Sequence, residues 1–455
     1  MKWVAFLAAL ALASGTARAQ VAQTNLRYDE DWSAASATAQ RDAHWWERLK
    51  ARPLDADGEV TLTLGGEARA RYEGFADNLW GQSPTGADDG YLWLRFMPLA
   101  SAKAGPIRAF VQGIAGYAIG VAGGAGPVDR TGVDLLQGFV DAQLPVAGGI
   151  LTLRGGRELV ALGSERLVGT RYGPNIPQPF DGARVGWQRG AWKLEALHLR
   201  PVAARHGSFD DRSSPTKRLD GVYATLPLNG FANADLYWLH YGDAAARFGG
   251  RVGDERRDTF GVRLFGKQGP IAWNWEAMLQ RGSFAGQTVR AWSIATETAY
   301  TLSGTMQPRL RLRANIASGD RSPADGRLGT FNAMFPKGKY FGELSPIGPR
   351  NIINVHPGID ADLGSNLSVE LAAIAYWRFS RGDGVYDVPG QLIRPADTAT
   401  ARHIGNQAEL SLGWQATPIL GLSASASIFQ PGDFLRQTGS ARPIRMIGAE
   451  AMLRF

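Results

Sequence analysis

From Val60 onwards, apolar and polar residues alternate along the chain in one segment after another. Between Ile271 and Gln280, the odd-numbered positions are all apolar, and the even-numbered ones carry the polar residues. Successive side chains of a β-strand point to opposite faces, so this pattern predicts a strand with one apolar face. A helix would distribute the arginines at 309, 311 and 313 around its surface, whereas a strand collects them on one side.

About 18 segments show this pattern, and most are near the 9–11 residues that a tilted membrane strand needs. Their predicted bounds are 60–73, 90–102, 106–117, 133–146, 149–157, 180–188, 191–200, 218–228, 231–241, 255–266, 271–281, 288–300, 307–318, 351–360, 366–379, 403–416, 419–429 and 443–455.

The connections between these segments alternate in length. Those after the second, sixth, eighth, tenth and sixteenth segments are tight and rich in Gly, Pro and Asn, as hairpins require. Several that follow odd-numbered segments are long and polar, such as 158–179, 201–217, 319–350 and 380–402. A soluble sandwich has no reason to sort its loops in this way, whereas an outer-membrane barrel has short periplasmic turns and long external loops. We therefore predict an all-β fold, a transmembrane antiparallel up-and-down β-barrel of about 18 strands over residues 60–455.

The start of the chain predicts export. Lys2, an apolar stretch from Val4 to Ala13 and a small-x-small site ending at Ala19 are typical of a cleavable signal peptide, residues 1–19. The apolar stretch is too short for a membrane-spanning helix. The chain ends on Phe455 in an amphipathic segment, which resembles the signal read by the barrel-insertion machinery. We expect a bacterial outer-membrane location, with lipid and lipopolysaccharide as surroundings.

Residues 20–59 lie outside the alternating pattern and are predicted to form a periplasmic N-terminal segment. Their sequence leaves two arrangements open: a free periplasmic arm, or a segment that folds into the barrel mouth.

Composition narrows the chemistry. The chain has no Cys, which excludes disulfides and thiolate metal sites, and its histidines show no metal-binding spacing. The net charge of +7 is spread along the chain without a basic tail, so nucleic-acid binding is not indicated. We predict no cofactor, no metal and no catalytic residues.

Several motifs resemble the alginate-export family of outer-membrane porins. Near the start these are NLRYDEDW at 25–32 and LGGE at 64–67; in the middle they are GREL at 156–159, GS at 163–164, RL at 166–167 and FDGAR at 180–184. The most specific stretch is the long connection with SGD at 318–320, TFN at 330–332, FP at 335–336, KYFG at 339–342 and GP at 348–349. The resemblance implies an 18-stranded barrel whose arginine-rich, acid-flanked pore passes an anionic polysaccharide. There are two departures. Arg157 directly precedes Glu158, where the family usually has an intervening Gln. The family's alginate exporters close the lower mouth with a long periplasmic turn, whereas all the periplasmic turns inferred here are short and the one at Thr417-Pro418 is minimal.

Alternation also predicts which charges face the lumen, because a charge on the lipid face costs about 2–4 kcal/mol at the midplane. The arginines expected to line the path are Arg69, Arg71, Arg95, Arg154, Arg263, Arg309, Arg311, Arg313 and Arg378. Acids are expected beside these arginines and would weaken the binding of an anion at each of them. They are Glu67, Asp141, Glu276 and Glu370. The alternative is that these charges pair across neighbouring strands and only solvate the wall.

The predicted function is passive diffusion of acidic oligo- or polysaccharides through an anion-selective channel, including export of alginate or a related polyuronate. A general or small-acid uptake porin is the alternative with the same fold. A third hypothesis is an outer-membrane barrel hydrolase, for which His198 and His240 are strand candidates, although the sequence marks no serine as their partner.

Overall fold

Eighteen long strands dominate the structure, a computed structural model that describes residues 24–32, 44–83, 86, 88–322 and 324–455. The predicted signal peptide lies outside the described residues. The strands are β1 Val60–Ala76, β2 Asp89–Ala104, β3 Ile107–Ile119, β4 Thr131–Val146, β5 Gly149–Leu159, β6 Pro179–Arg189, β7 Trp192–Ala203, β8 Lys217–Asn229, β9 Ala232–Phe248, β10 Arg251–Gln268, β11 Ile271–Phe284, β12 Gln287–Thr301, β13 Arg309–Ala317, β14 Ile352–Gly364, β15 Leu367–Arg378, β16 His403–Thr417, β17 Leu420–Pro431 and β18 Ile444–Arg454.

Short elements decorate this framework. Single-turn 3₁₀ helices span Arg27–Asp29 and Glu47–Leu49, and short helical turns span Asn78–Gly81 and Asp433–Gln437. Strand fragments span Arg52–Pro53, Arg212–Ser213, Arg327–Leu328, Val385–Tyr386 and Leu392–Arg394. None of the helices in the described ranges is long and apolar enough to cross a membrane.

Each long strand pairs antiparallel with the next, and the first strand also pairs with the last. In that closing seam, Ala68 lies opposite Leu453, and Gly66 and Phe455 exchange backbone hydrogen bonds of 2.9 and 3.0 Å. The predicted antiparallel barrel of 18 strands is therefore confirmed.

The two ends of the barrel differ. Connections after even-numbered strands are two-residue turns, with the one longer exception at 302–308. At the other end, long segments follow most odd-numbered strands, the longest being 160–178, 318–351 and 379–402. Two odd-numbered connections, after β9 and β11, are instead tight: Ala285 and Gly286 both adopt positive φ, which suits a two-residue hairpin turn. We call the two ends the short-turn end and the long-loop end.

The wall has an apolar outer face and a mixed inner face. On β11, Leu279 is 43% exposed on the outside, whereas its neighbour Gln280 is fully buried on the inside. The long segments fold into the barrel and fill part of it: the ring of Phe335, from 318–351, lies 5.1 Å from Phe180 and 5.7 Å from Tyr241. The passage is thus shaped by inserted segments as well as by strands.

The N-terminal segment enters the short-turn mouth. The ring of Tyr28 packs edge-on against Phe110 and Phe139, at 6.0 and 5.3 Å, and its hydroxyl donates to the carbonyl of Leu159 at 2.8 Å. Arg27 donates to the backbone carbonyl of Phe455 at 3.0 Å. Of the two arrangements that the sequence leaves open, the described residues of this segment, 24–32 and 44–59, have the one folded into the mouth.

Candidate functional site in the barrel interior

The barrel brings the predicted charges to its inner face. All nine arginines and all four acids stand at positions whose side chains point inward, on alternate residues of their strands. Their role as a path for a solute stays a prediction, because placement alone does not test it.

Most of these arginines are ion-paired. Within the described residues, every one of the nine except Arg378 has a carboxylate oxygen within 4.0 Å. The partners are Glu450 for Arg69, Glu73, Glu343 and Glu450 for Arg71, Glu67 for Arg95, Asp141 and Glu158 for Arg154, Asp235 for Arg263, Asp360 for Arg309, Asp360 and Glu370 for Arg311, and Glu297 for Arg313. Pairing across strands therefore describes much of the wall.

Glu67 is the most enclosed of the four acids. It accepts from Arg95 at 2.7 Å and from Arg454 at 2.8 Å, and it is fully buried. Because Arg95 belongs to β2 and Arg454 to β18, this carboxylate joins both neighbours of β1. Arg95 also donates to the carbonyl of Asn175 at 3.1 Å, which ties the inserted segment 160–178 to the wall.

The middle of the barrel contains basic residues that were not among those predicted to line the path. Arg166, from the inserted segment 160–178, binds Glu276 at 2.6 Å, and Tyr237 donates to the same carboxylate at 2.6 Å. Lys337, from 318–351, forms no ion pair in the described part of the chain. Burial lowers the pKa of Lys337, and the nearby charges of Arg313 and Arg166 lower it further. The sequence signals for these positions were that Arg166 stands in a family motif, RL at 166–167, and that Lys337 directly follows another, FP at 335–336.

A vestibule of about 740 Å³ lies at the short-turn end. The basic side chains of its wall are Lys103, Arg108, Arg154, Arg184 and Lys193, and the carboxylates that face them are Asp141, Glu158 and Glu195. Asp141 is shared by Arg108 at 2.6 Å and Arg154 at 2.9 Å. Three carboxylates, Asp141, Glu158 and Glu195, thus pair with the three arginines. The lysines at 103 and 193 give this part of the barrel wall its excess of positive charge.

The N-terminal segment supplies acids to this vestibule. Asp29 and Asp31 line it, next to the anchoring Tyr28. Enclosure in the cavity raises the pKa of Asp29, while Arg154, Arg184 and Arg108 act in the opposite direction. Burial raises the pKa of Tyr28 to about 12, so its hydroxyl stays protonated and can donate to the carbonyl of Leu159.

Two other groups of ionisable side chains, the outward-facing histidines and a cluster of three carboxylates, have partners within the protein. His198 and His240 point outward and lie beside Asp220 and Asp258, at 2.5 and 2.9 Å. At the long-loop end, Asp134 and the adjacent pair at 210 and 211 bring three carboxylates within 4.8 Å of one another. Asp134 accepts hydrogen bonds from the backbone N–H groups of both residues of that pair, at 2.9 and 3.2 Å. The cluster therefore stabilises the loop that contains residues 210 and 211.

Comparisons with known proteins agree with this architecture. The family model described as "Alginate export" matches residues 60–447. The Pseudomonas aeruginosa protein OccK2 (OpdF), solved in complex with glucuronate, has a TM-score of 0.59 at 13% identity, covering 87% of this chain and 98% of that one. Pseudomonas aeruginosa OpdK, solved with vanillate, has a TM-score of 0.57 at 14% identity, covering 86% and 98%. OccK11 (OpdR) of the same organism has a TM-score of 0.55 at 12% identity, covering 87% and 96%.

Among curated proteins, none matches this chain in sequence. At such low identity the structural neighbours show the fold alone, and the family match carries the assignment. This chain belongs to the alginate-export family, and it is a channel of the bacterial outer membrane rather than an enzyme.

Proposed function

We propose that the channel passes acidic saccharides by passive diffusion along its basic interior. The observation that carries this proposal is the part of the vestibule wall formed by the strands, where five basic side chains face three carboxylates. The N-terminal segment adds one basic residue, Arg27, and the acids Asp29, Glu30 and Asp31 to the lining. A basic wall in a confined passage attracts anions, because the low-dielectric surroundings focus its field, and the acids of the N-terminal segment moderate that attraction. Lys337 extends the same charge excess to the middle of the barrel.

Weak attraction suits transport. Guanidinium groups bind carboxylates through two parallel hydrogen bonds, but the wall arginines are already partly neutralised by acids. A solute carboxylate therefore meets sites that attract it without trapping it. Alginate is a polymer of uronates, and the family of this chain is named for its export. Among proteins with the same fold, OccK2 was solved with glucuronate, a single uronate. Uronate oligomers and polymers are thus the favoured cargo.

Ion selectivity tests the proposal directly. We expect a reversal potential that reports anion preference when the protein is placed in a planar bilayer under a salt gradient. A cation-selective pore would contradict the proposal. Swelling of protein-containing vesicles then separates the candidates: uronate oligomers should enter faster than neutral sugars of equal size, whereas a general porin would admit both alike.

Replacing Lys337 by methionine is expected to reduce the ratio of anion to cation permeability about twofold at neutral pH, because it removes a positive charge that has no acidic partner in the described residues. The pKa of Lys337 is lowered, so as the pH rises its positive charge is lost before an ordinary lysine would titrate. The anion preference of the wild type should therefore fall over that alkaline range. Reversal potentials measured across the range check both statements.

The matched control is Lys267→Met, which removes an exposed lysine at a short turn. The control should keep the wild-type selectivity and its pH dependence. If Lys337→Met shows the same alkaline fall as the wild type, another group is responsible for it.

Replacing Asp29 by asparagine is expected to strengthen the block of current by a uronate oligomer added at the short-turn side, by about two- to fivefold. The physical reason is that Asp29 places its own carboxylate among Arg108, Arg154 and Arg184, where the solute carboxylate would bind. Concentration series of block, with the oligomer added to either side, measure the effect.

The exposed Asp57 lies outside the vestibule lining, and Asp57→Asn is the matched change of charge. Equal block in the wild type and in Asp29→Asn would show that Asp29 does not compete with the solute.

A further inference from the structure

A row of ionisable side chains crosses the outer face of the barrel on six neighbouring strands, β7 to β12. Each member lies directly opposite the next in the strand register, and the row is His198, Asp220, His240, Asp258, Arg281 and Arg290. The first four form the two His–Asp pairs described above. Arg281 and Arg290 face each other and form no ion pair with a described residue. Like charges placed directly opposite on a sheet are unfavourable unless an anion lies between them.

The neighbouring row fixes the level of these charges in the membrane. Two residues along each strand towards the short-turn end lie Ala196, Val222, Trp238, Phe260, Leu279 and Trp292, again directly opposite one another. This row is apolar and contains two tryptophans, and girdles of aromatic residues mark the boundary between the apolar band and the head groups. The charged row lies on the loop side of that boundary, at head-group level.

More arginines flank the row on its loop side. Arg200, Arg218 and Arg256 point outward two residues nearer the long loops, and all three are exposed. Arg256 pairs with Asp254 at 3.1 Å, and Arg218 lies 3.9 Å from Asp220. The outer surface of β7 to β12 is therefore basic just above the apolar band, and its strongest charge without a partner is at Arg281 and Arg290.

We propose that Arg281 and Arg290 bind phosphate groups of the phosphorylated glycolipid of the outer leaflet, lipopolysaccharide. The long-loop end faces that leaflet in outer-membrane barrels. Guanidinium groups match phosphate oxygens with two parallel hydrogen bonds, and arginines at a membrane surface are attracted to anionic lipid head groups. The binding surface consists of Arg281 and Arg290, with Arg256, Arg218 and Arg200 beside them. It lies outside the barrel and is independent of the proposed cargo.

Lipid retention tests this proposal. The full-length protein would be incorporated into nanodiscs that contain lipopolysaccharide, enzymatically dephosphorylated lipopolysaccharide or phosphatidylglycerol, and the bound lipid would be measured by native mass spectrometry. Wild-type protein should bind lipopolysaccharide at least tenfold more tightly than its dephosphorylated form. The variant with Arg281→Gln and Arg290→Gln should lose roughly tenfold or more of that affinity.

The control combines Arg189→Gln and Lys267→Gln, which remove equal charge from exposed positions at the short-turn end. It should retain wild-type binding. Equal binding of the two forms of lipopolysaccharide by the wild type would overturn the proposal without reference to any variant. So would wild-type affinity in a correctly folded Arg281, Arg290 variant. Tighter binding of phosphatidylglycerol than of lipopolysaccharide would show a general anionic-lipid surface and would also overturn it.

Discussion

Replacing Glu67 by alanine is expected to lower the free energy of unfolding by about 3–5 kcal/mol, the loss that follows when one partner of a buried ion pair is removed. Glu67 is enclosed between Arg95 and Arg454, and the side chain of Arg95 is fully buried. Without the carboxylate, the guanidinium of Arg95 stays in the wall without a compensating charge. Because Glu67 contacts both neighbours of β1, the seam between β1 and β18 should be weakened most. Urea unfolding in lipid vesicles, followed by tryptophan fluorescence, measures the loss.

Two further variants define the cause. Glu59→Ala removes an exposed acid just before β1 and should change stability by less than about 0.5 kcal/mol. Glu67→Gln retains a hydrogen-bond acceptor of similar shape, so its loss of unfolding free energy should lie between those of Glu67→Ala and Glu59→Ala. A Glu67→Ala protein as stable as Glu59→Ala would mean that the buried pair contributes nothing.

Replacing Arg378 by methionine is expected to release the segment 379–402 while the barrel stays closed. Arg378 is buried at the end of β15 and donates to four backbone carbonyls, those of Arg381 at 3.0 Å, Asp383 at 3.1 Å, Ala399 at 3.0 Å and Ala401 at 2.6 Å. Buried acceptors left without donors cost about 1–3 kcal/mol each. Amide hydrogen exchange in 379–402 should therefore accelerate roughly a hundredfold, since about 2.8 kcal/mol of local opening corresponds to that factor.

Arg381→Met is the matched variant, because Arg381 is exposed and lies in the same segment. Its exchange should resemble that of the wild type. The result that contradicts the prediction is uniform acceleration across all strands in Arg378→Met, which would show that this arginine stabilises the barrel as a whole and not the inserted segment.

The strand pattern was predictable because lipid imposes it. On β11 the predicted start, Ile271, coincides with the observed one, since an apolar outer face alternates with a polar inner face throughout the membrane. The prediction ended too early where strands continue into water. The ninth segment was expected to stop at Tyr241, whereas β9 continues to Phe248 through a bulge between Asp243 and Ala246. Beyond the membrane neither face needs to be apolar, so the alternation fades although the hydrogen-bonded ladder continues.

The sequence predicts which side chains face the inside of the barrel, but it does not predict their ion-pair partners. Alternation identifies Arg311 and Glu370 as inward-facing, yet their ion pair depends on the register across β13, β14 and β15. Arg166, Lys337 and Tyr28 come from segments without periodicity, and their positions follow from packing inside the barrel. Arg281 lies in a predicted strand, on its apolar side, and this departure from the pattern was the sequence signal for the outer basic surface.

The inserted segments have a consequence for the evolution of cargo choice. The wall closes through its own hydrogen-bonded ladder, from β1 to β18, and none of these pairings requires the residues of 160–178, 318–351 or 379–402. The inserted segments that narrow the passage and the strands that form the wall are thus separate parts of one chain. Exchanging an inserted segment between relatives should change which molecules are admitted and leave assembly of the barrel intact. The range of transported solutes can therefore change in evolution while the fold is retained.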